Sequence, residues 1–581
     1  MLRITKKVLK LLNSKERKKL FIIIIMMFIG AILESLGVSL ILPLVSSVIH
    51  ADGWNTTWYA QLICSVFKIQ VQTTYVKALL LLLIFIFITK DVYLLLEYYV
   101  QYSYTAKNKY HLQKQLMKRY MYKPYAFYLG SSSGEIMRII INDTRMTSNL
   151  LIGLLQFYME LVVEIVLAIT IFFINPLIAF ILSITLLLEL LLISKLLKPM
   201  IKRMSQKFLR ESASGNNWIL QSLQGIKSIK VSHTEDFFIE KYNEHALGTS
   251  DAERKNQTYN KIPHLFIEAI TVAVVLGVIL ILLSLGTELT DIIPALSALV
   301  IAAMRLLPSI NKITTGINTA LYNEAALDNV SKNLNDDENC YNSNSAIRKD
   351  NTEKENLCFV KKISLTGITF SYPGSQTTIL ENADMEILPG QSVGIIGTSG
   401  AGKTTVVDII LGLLKPQAGH VLVDGVDIER SLESWLSHLA YIPQQIFLMD
   451  DTIKANVAFG LHDTEISEEK IWEALQEAQL KQFVKTLPNG IETTIGESGI
   501  RLSGGQRQRL GIARALYYEP DILFFDEATS ALDGETEAAI MESINHLKGK
   551  KTLIIIAHRL TTIEHCDVVY KVENGKIIRT R

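Results

Sequence analysis

The stretch Gly397-Thr398-Ser399-Gly400-Ala401-Gly402-Lys403-Thr404 fits the pattern G-x-x-x-x-G-K-[ST] of a phosphate-binding loop. It follows an apolar run, 393–396, and precedes another, 406–414, so it stands where a strand turns into a helix. In such a turn, glycines let backbone N–H groups approach phosphate oxygens, and the positive end of the next helix points at the same anion. We expect Lys403 to add charge near the outer phosphates and Thr404 to offer its hydroxyl to Mg²⁺. The predicted nucleotide contacts in this loop are Gly397, Thr398, Ser399, Gly400, Ala401, Gly402, Lys403, Thr404 and Thr405.

The chain around this loop falls into two unlike halves. Of its 581 residues 49% are apolar, and the mean hydropathy of +0.26 is high for a soluble protein. The apolar excess lies almost entirely before residue 325. A net charge of +1 gives no support to a nucleic-acid partner. The four cysteines, Cys64, Cys340, Cys358 and Cys566, lack the spacing of metal ligands or disulfides.

The first half has the pattern of a membrane domain. Residues 1–19 carry eight Lys or Arg and one Glu, which favours a cytoplasmic start. Six apolar spans follow, each near or above the roughly 20 residues that cross the hydrocarbon as a helix. They are 20–48, 75–99, 148–174, 176–198, 263–286 and 291–318. The basic connections 100–147 and 199–262 are expected to be cytoplasmic helical extensions of these spans.

These patterns divide the chain into four parts. They are a basic segment 1–19, a six-helix transmembrane domain 20–330, a polar linker 331–357 and a nucleotide-binding domain 358–581. In the first outer loop, Trp58–Phe67 could form an interfacial amphipathic helix. Near the turning points of the cytoplasmic connections, Tyr125–Tyr128 and Asn217–Leu220 place aromatic and apolar residues at the far ends of polar helices. We interpret both as docking segments, in preference to packing within the helical stalk.

Ionisable residues inside apolar spans are costly and are usually paired or functional. They are Glu34, Lys90, Asp91, Glu97, Glu160, Glu164, Glu189, Glu268 and Arg305. Lys90 and Asp91 are expected to pair with neighbouring helices, and Arg305 stands just before Leu306-Leu307-Pro308. For any one of these residues, a buried structural ion pair and a substrate contact are both open.

The second half supplies further candidates for nucleotide chemistry. Tyr372 could stack on a base or belong to ordinary packing, and Gln444 could reach Mg²⁺ or the attacking water. Ser503-Gly504-Gly505-Gln506 opens a helix and forms a second anion-binding end. The apolar strand 522–525 ends in Asp526, suited to Mg²⁺, and Glu527, suited to polarising the water that attacks the γ-phosphate. His558 follows another apolar strand, where a phosphate sensor could sit.

This half resembles the ATPase domain of the ABC transporters. The phosphate loop, Gln444, the signature Leu502–Gln506, Asp526-Glu527, the loop Ser530-Ala531-Leu532-Asp533 and His558 occur in the family's order. The segment Thr493–Gly499 resembles one found in the exporter branch, where it contacts the membrane domain. Six spans and one ATPase domain match an exporter half-transporter. The resemblance implies an α-helical membrane domain followed by an α/β P-loop ATPase domain, with ATP and Mg²⁺ as cofactors.

The resemblance also implies a mechanism. ATP is held between the phosphate loop of one ATPase domain and the signature helix of another, so two copies are needed, and Asp533 belongs to the nucleotide contacts. We expect a homodimer with two equivalent sites, in which Glu527, His558 and Gln444 are catalytic. Thr404, Gln444 and Asp526 are the expected Mg²⁺ ligands. Closure on ATP would turn the membrane cavity outward, and the segments near 125–128 and 217–220 would couple the two domains.

The substrate is indicated more weakly. Segments 34–43 and 305–312 look similar to bacterial flippases for lipid-linked oligosaccharides, and Arg305, Lys312 and Lys90 are candidates to hold an anionic head group. The expected partners are therefore a second copy and a lipid or lipid-linked substrate in a bacterial inner membrane. The N-terminus and the ATPase domain would be cytoplasmic. Alternatives are an exporter of peptides, lipids or hydrophobic drugs, and an ATP-gated channel or receptor that does not pump.

Overall fold

The fold was obtained as a computed structural model that describes residues 1–39, 71–174, 176–284, 289–335, 357–526, 544–557 and 563–581, with isolated positions 44, 61, 64, 65, 541 and 542. The chain divides into two compact units. The first comprises Met1–Lys123 and Ser131–Asn342, and the second comprises Pro124–Gly130 and Ser343–Arg581. The predicted outer-loop helix, Trp58–Phe67, and most of the predicted linker lie outside the described residues.

The first unit is built of helices. In chain order they are α1 (Leu2–Leu11), α2 (Ser14–Ser39), α3 (Gln72–Met121), α5 (Ser133–Arg138), α6 (Thr144–Ile174), α7 (Pro176–Gln224), α8 (Ile226–Ser232), α9 (Glu235–Ser284) and α10 (Leu289–Asn335), while α4 (Tyr125–Leu129) belongs to the second unit. Within the described ranges, α2, α3, α6, α7, α9 and α10 are the long helices, one for each predicted span. Judged by length and composition over the described residues, Gln72–Met121 and Ser133–Val166 could each cross a membrane.

The long helices confirm the helical connections and move two predicted boundaries. Helices α3, α7 and α9 continue without a break from the apolar spans into the basic connections, as expected. The second turning point was predicted near Asn217–Leu220; these residues lie inside α7, and the chain turns shortly after them at Gly225 and again at His233. The predicted linker starts at 331, whereas α10 continues to Asn335. Periodicity locates a helix well and its last turn poorly.

The N-terminal segment does more than carry positive charge. Ile4, Val8 and Leu12 are buried in the core of the first unit, so α1 presents one apolar face to it. On the same helix, the Lys7 ammonium lies 2.9 Å from Glu324 and 2.6 Å from Asp328 of α10. Because an apolar face and an ion-pair network act together, α1 is fixed to the last helix of the unit.

Two ionic contacts revise the predictions for the spans. Lys90 and Asp91 pair with each other on α3 at 3.1 Å, and the Lys90 ammonium also lies 4.6 Å from the Phe87 ring centroid. This contact lies within one helix, and pairing of either residue with a neighbouring helix stays a prediction. Glu160 on α6 accepts hydrogen bonds from Ser309 (2.5 Å) and Lys312 (2.6 Å) on α10. Glu160 is almost fully buried, so this contact joins the two helices from inside the unit.

The second unit contains two sheets. Their strands are β1 (Ile363–Ser371), β2 (Thr378–Ile387), β3 (Ser392–Ile396), β4 (Ala418–Val423), β5 (Val426–Asp427), β6 (Leu439–Ile442), β7 (Ile522–Asp526), β8 (Thr552–Ile556), β9 (Val568–Glu573) and β10 (Lys576–Arg579). An antiparallel sheet has the order β2-β1-β4-β5, and the larger sheet has the order β10-β9-β3-β8-β7-β6. In the larger sheet β9, β3, β8, β7 and β6 are parallel, and β10 pairs antiparallel to β9. The α/β prediction is confirmed.

Helices cover the larger sheet and position its loops. They are α11 (Lys403–Ile410), α12 (Leu432–Ser437), α13 (Ile453–Val457), α14 (Glu468–Glu477), α15 (Lys481–Thr486) and α16 (Gly504–Tyr517). The strands β3, β7 and β8 are buried nearly throughout, which explains their continuous apolar runs. The connection Pro124–Gly130 groups with this unit, and Ala126 packs against its core. This placement supports the docking role predicted for Tyr125–Tyr128.

Candidate nucleotide site

The phosphate loop lies between the end of β3 and the start of α11, as its sequence context predicts. Gly400 has a φ of +80° and Gly402 a φ of +99°, values that L side chains rarely adopt. At Gly402 an added Cβ would also come within 2.7 Å of the Ile379 side chain. The loop can therefore take this shape only with glycine at these positions, and the shape leaves the N-terminus of α11 open for an anion.

Lys403, Thr404 and Thr405 have different contacts at this turn. The Lys403 ammonium donates to the backbone oxygens of Gly397 (3.0 Å) and Thr398 (3.1 Å), and the residue is buried. Thr404 is exposed, so its hydroxyl is accessible to a ligand. Thr405 is buried, and its hydroxyl lies 3.0 Å from that of Tyr372. Thr405 thus anchors Tyr372 to α11, and base stacking by Tyr372 stays a prediction.

Parallel strands bring the remaining candidates to the same edge of the sheet. Ile395 of β3 pairs with Ile556 of β8, and Ile556 pairs with Asp526 of β7. The carboxylate of Asp526 is therefore two strands from the phosphate loop and at the same level. Gln444 follows the adjacent strand β6 and is exposed. Glu527, Asp533 and His558 lie outside the described residues, although Glu527 directly follows Asp526 in the chain.

A half-buried tyrosine and a buried carboxyl group lie near Asp526. The Tyr441 hydroxyl donates to Asp526 Oδ2 at 2.9 Å. Burial, followed by the nearby Asp526 charge, raises the pKa of Tyr441, so the hydroxyl keeps its proton and acts as a donor. Asp408 of α11 is buried, and burial together with Asp526 raises the pKa of Asp408 to about 6. A second carboxyl group therefore stands beside Asp526, one helical turn from Thr404.

The signature segment begins helix α16 with a reciprocal cap. The Ser503 hydroxyl accepts from the Gln506 backbone N–H (3.2 Å), and the Gln506 side chain accepts from the Ser503 N–H (2.8 Å). Ser503 and Gly504 are exposed, whereas Gly505 is buried. The positive end of α16 thus faces outward on this chain and can receive a phosphate.

These groups fit a nucleotide with a divalent cation. A glycine cradle, an ammonium and two outward helix N-termini suit phosphate oxygens. The Thr404 hydroxyl and the Asp526 carboxylate are hard oxygen donors of the kind Mg²⁺ uses together with phosphate. Among the described residues, no group of three or more His, Cys, Asp or Glu could hold a metal by itself.

Comparisons with known proteins agree with this geometry. Residues 20–290 match the family described as ABC transporter transmembrane region, and residues 380–530 match the family described as ABC transporter. An ATP-dependent lipid A-core flippase of Saccharophagus degradans is 32% identical over 473 residues, which cover 80% of this chain and 77% of the relative. The chain belongs to the ABC transporter family. Its membrane helices and ATPase domain are fused in one chain.

Other relatives of this ABC transporter match over a shorter stretch. The lipid A-core flippases of Chromobacterium violaceum and Salmonella typhimurium are each 42% identical over 217 residues, 37% of this chain and 37% of the relative. A solved bacterial Atm1-family ABC exporter with ATP bound shares the fold, with a TM-score of 0.77 and 23% identity over 97% of this chain and 95% of that one. The chain is an ATP hydrolase coupled to transport.

Of the three basic residues predicted to bind the substrate, two form ion pairs within the chain and the side chain of the third is not described. Lys312 is ion-paired with Glu160, and Lys90 with Asp91, so neither is a free cation in this conformation. The side chain of Arg305 lies outside the described residues. Asp408 and Tyr441 were not predicted from the sequence to lie near Asp526. One signal was available, because Asp408 is a lone charge in the apolar run of α11, four residues after Thr404.

Proposed function

We propose that this ABC transporter is a homodimeric flippase that uses ATP to move a lipid-linked amphiphile across a bacterial inner membrane. The observation that carries the proposal is the pairing of a complete phosphate loop and an outward-facing signature helix with a helical membrane unit on one chain. The lipid-linked oligosaccharide is our preferred substrate. The relatives named lipid A-core flippases support a lipid-borne polar head group.

The nucleotide residues take the following roles. Lys403 and the backbone of 397–405 bind the phosphates, and the Tyr372 ring stacks on the base. Thr404, Gln444 and Asp526 would hold Mg²⁺, which neutralises charge on the phosphate oxygens when bound. Glu527 polarises the attacking water and His558 senses the γ-phosphate. Ser503, Gly504, Gly505, Gln506 and Asp533 contribute to the site across the dimer.

A second copy supplies what one chain lacks. The exposed N-terminus of α16 has phosphate-binding groups. In the family's sandwich arrangement, these groups bind the ATP that is held by the phosphate loop of the other copy. The α7–α8 connection also exposes apolar side chains, including Leu223 (65%), Ile226 (47%) and Val231 (75%). Such surface favours a partner. We place the N-terminus and the ATPase domain on the cytoplasmic side, since connections rich in Lys and Arg favour that side of a membrane.

The test is ATP-dependent flipping in proteoliposomes, scored by accessibility of the glycan on a lipid-linked oligosaccharide. The wild type should flip the lipid and hydrolyse ATP, and Glu527→Gln should bind ATP but lose turnover and flipping. Removal of a catalytic base typically lowers the rate by about 10²–10⁴-fold. Hydrolysis that survives in Glu527→Gln would refute the role of Glu527. Robust wild-type hydrolysis without flipping would exclude the oligosaccharide and leave peptide, lipid or drug export, whereas an ATP-gated channel would show ion flux instead.

A further inference from the structure

The groove between helices α2 and α3 lies where both helices leave their apolar spans. Lys19 directly precedes the first span, 20–48, and Val100 directly follows the second, 75–99. Both residues line the groove, whose volume is about 280 Å³. Pockets that enclose a drug-sized ligand measure roughly 300–1,000 Å³. The groove is therefore large enough for a head group and the first carbons of its chains, but not for a whole lipid.

Two hydrogen bonds fix the helices that form the walls of the groove. The Tyr104 hydroxyl of α3 donates to the backbone oxygen of Glu16 of α2 at 3.2 Å. Further along, the Tyr93 hydroxyl donates to the backbone oxygen of Met26 at 2.9 Å. The helices therefore run in opposite directions, with 16–26 beside 93–104. Tyr104 and Ile23 are buried beneath the groove, so its floor is formed by the packing of the two helices.

The groove changes from apolar to cationic along its length. On the side of the spans, Ile22 and Tyr99 line it, with 57% and 74% of their surface exposed. On the other side, Lys19 and Lys107 line it. Each Cα–Cβ bond of a helix tilts toward the N-terminus. Since α2 begins outside its span and α3 begins across it, Lys19 tilts away from the span and Lys107 tilts back toward it. The two lysines thus approach one level of the groove.

The cationic end of the groove lacks a neutralising partner. Lys19 and Lys107 are exposed, and neither forms an ion pair within the described part of the chain. Glu16 lines the groove as well, and its Oε2 accepts from the Asn13 backbone N–H at 2.9 Å. His111 stands one helical turn beyond Lys107 and also lines this end. Two ammonium groups beside one engaged carboxylate leave a positive charge, which favours an anion.

We propose that this groove binds one anionic phospholipid of the surrounding membrane. Its phosphate lies between Lys19 and Lys107, and its acyl chains run along Ile22 and Tyr99 into the span. Lipid is the occupant because the apolar half of the groove belongs to the spans, where hydrocarbon surrounds the protein. The leaflet is the one beside the basic connections, where anionic lipids attract Lys and Arg. The site uses none of the residues assigned to nucleotide or to the transported substrate.

The test titrates phosphatidylglycerol into the full-length protein in detergent and counts bound lipids by native mass spectrometry. The first phosphatidylglycerol should bind more tightly than phosphatidylcholine, whose choline offsets the phosphate charge. Lys19→Ala combined with Lys107→Ala should weaken phosphatidylglycerol binding about 25-fold, or about fivefold per lysine, and should remove this preference. Lys19→Arg combined with Lys107→Arg should retain it. A wild type without the preference would overturn the proposal.

Lys18→Ala combined with Lys114→Ala is the matched control. Both lysines are exposed on the same two helices, and neither lines the groove. Lys18 projects about 100° around α2 from Lys19, and Lys114 lies about 10 Å along α3 from Lys107. This variant has the same net charge as the alanine variant of the groove and should have the same melting temperature, but it should bind phosphatidylglycerol like the wild type. An equal loss in both variants would overturn the groove as the site.

Two competition measurements identify the occupant. Glycerol phosphate has the anionic head without acyl chains, so it should not displace phosphatidylglycerol, because the apolar half of the groove also contributes to binding. Displacement at similar concentrations would overturn the lipid and leave a site for free anions. A lipid-linked oligosaccharide should not compete either, and competition would assign the groove to the transported substrate instead. The titration needs no ATP, so a protein that fails to flip lipid leaves this inference standing.

Discussion

At the scale of single residues, Gly402 shows how strongly the phosphate loop depends on the absence of a side chain. Its φ of +99° lies in the left-handed region, and the nearest obstacle to an added Cβ is Ile379, at 2.7 Å. Gly400 has a similar φ of +80°, but a Cβ there would meet nothing within 4 Å. Backbone strain alone would oppose a side chain at Gly400, whereas backbone strain and steric overlap would both oppose one at Gly402.

Gly402→Ala should abolish ATP binding, and Gly400→Ala should weaken it less. Each substitution meets a backbone cost of about 1–2 kcal/mol, and Gly402→Ala also displaces Ile379. ATP affinity is measured by equilibrium titration with a fluorescent ATP analogue. Gly277→Ala is the control, because a Cβ there meets nothing within 4 Å and the backbone is helical. Tighter ATP binding by Gly402→Ala than by Gly400→Ala would contradict this account of the loop.

The residues of the phosphate loop could be predicted because their motif is local. Contacts between residues far apart in the chain could not be predicted from the sequence. The turn from β3 to α11 follows from adjacent residues, so the position of Lys403 and Thr404 at the start of a helix was predictable from the sequence. The bond between Tyr441 and Asp526 joins residues 85 positions apart. Only the order of strands, with β6 beside β7, brings them together. The same limit applies to the contact between the Thr405 and Tyr372 hydroxyls, which the sequence did not predict; nucleotide contact by Thr405 stays a prediction.

At the scale of elements, the contact between α6 and α10 explains a charge that the sequence left open. Lys312 was a candidate for an anionic head group, and its side chain keeps 42% exposure while bonded to Glu160, which has 2%. Ser309 supplies the other Glu160 oxygen with a hydrogen bond. A buried carboxylate with two partners from one neighbouring helix is a structural pair between helices.

Replacing Lys312 alone should destabilise the protein, and replacing both partners should restore it. Lys312→Met leaves Glu160 buried without its cation, at a cost on the order of 2 kcal/mol given the partial exposure of Lys312. Glu160→Gln combined with Lys312→Met removes that charge. The measurement is the melting temperature in lipid nanodiscs together with flipping. Recovered stability with flipping still absent would instead assign Lys312 to the substrate.

The long helices could be predicted from the periodicity of the sequence. The contacts between them depend on side chains that lie far apart in the chain. The apolar spans continue into the basic connections as unbroken helices, even past Pro199 in α7 and Pro263 in α9. The N-terminal segment was interpreted as a charged anchor from its eight basic residues. Its burial depends on Ile4, Val8 and Leu12 lying on one face, a spacing of four that is weak in so short a helix. The acidic partners of Lys7 lie at the other end of the first unit in sequence.

At the scale of the whole molecule, each chain carries one phosphate loop and one signature helix. If sites form across two copies, defects in different motifs can be separated between chains. Lys403→Ala removes the ammonium of the loop. Gly504→Asp puts a carboxylate where α16 would meet phosphate, yet an acidic residue at a helix N-terminus favours the helix. Both variants should therefore fold.

Mixed dimers of Lys403→Ala and Gly504→Asp chains should recover ATP binding that each homodimer lacks. One of the two sites then pairs an intact loop with an intact signature, so about one ATP per purified mixed dimer is expected from the composite geometry. Differently tagged chains are co-expressed, isolated by two affinity steps and assayed for bound nucleotide. Mixed dimers as inactive as the separate variants would show that each chain builds its site alone.

The grouping of Pro124–Gly130 with the nucleotide unit has a consequence for synthesis. These residues leave the ribosome early, with the first membrane helices, but the core against which Ala126 packs is completed only when the last strands have been made. Until then the segment has no surface to bind, and contacts between parts so distant in sequence form slowly. The final step of assembly is thus the capture of an early segment by a late domain. A nascent chain stopped before β9 would keep this connection open to proteases.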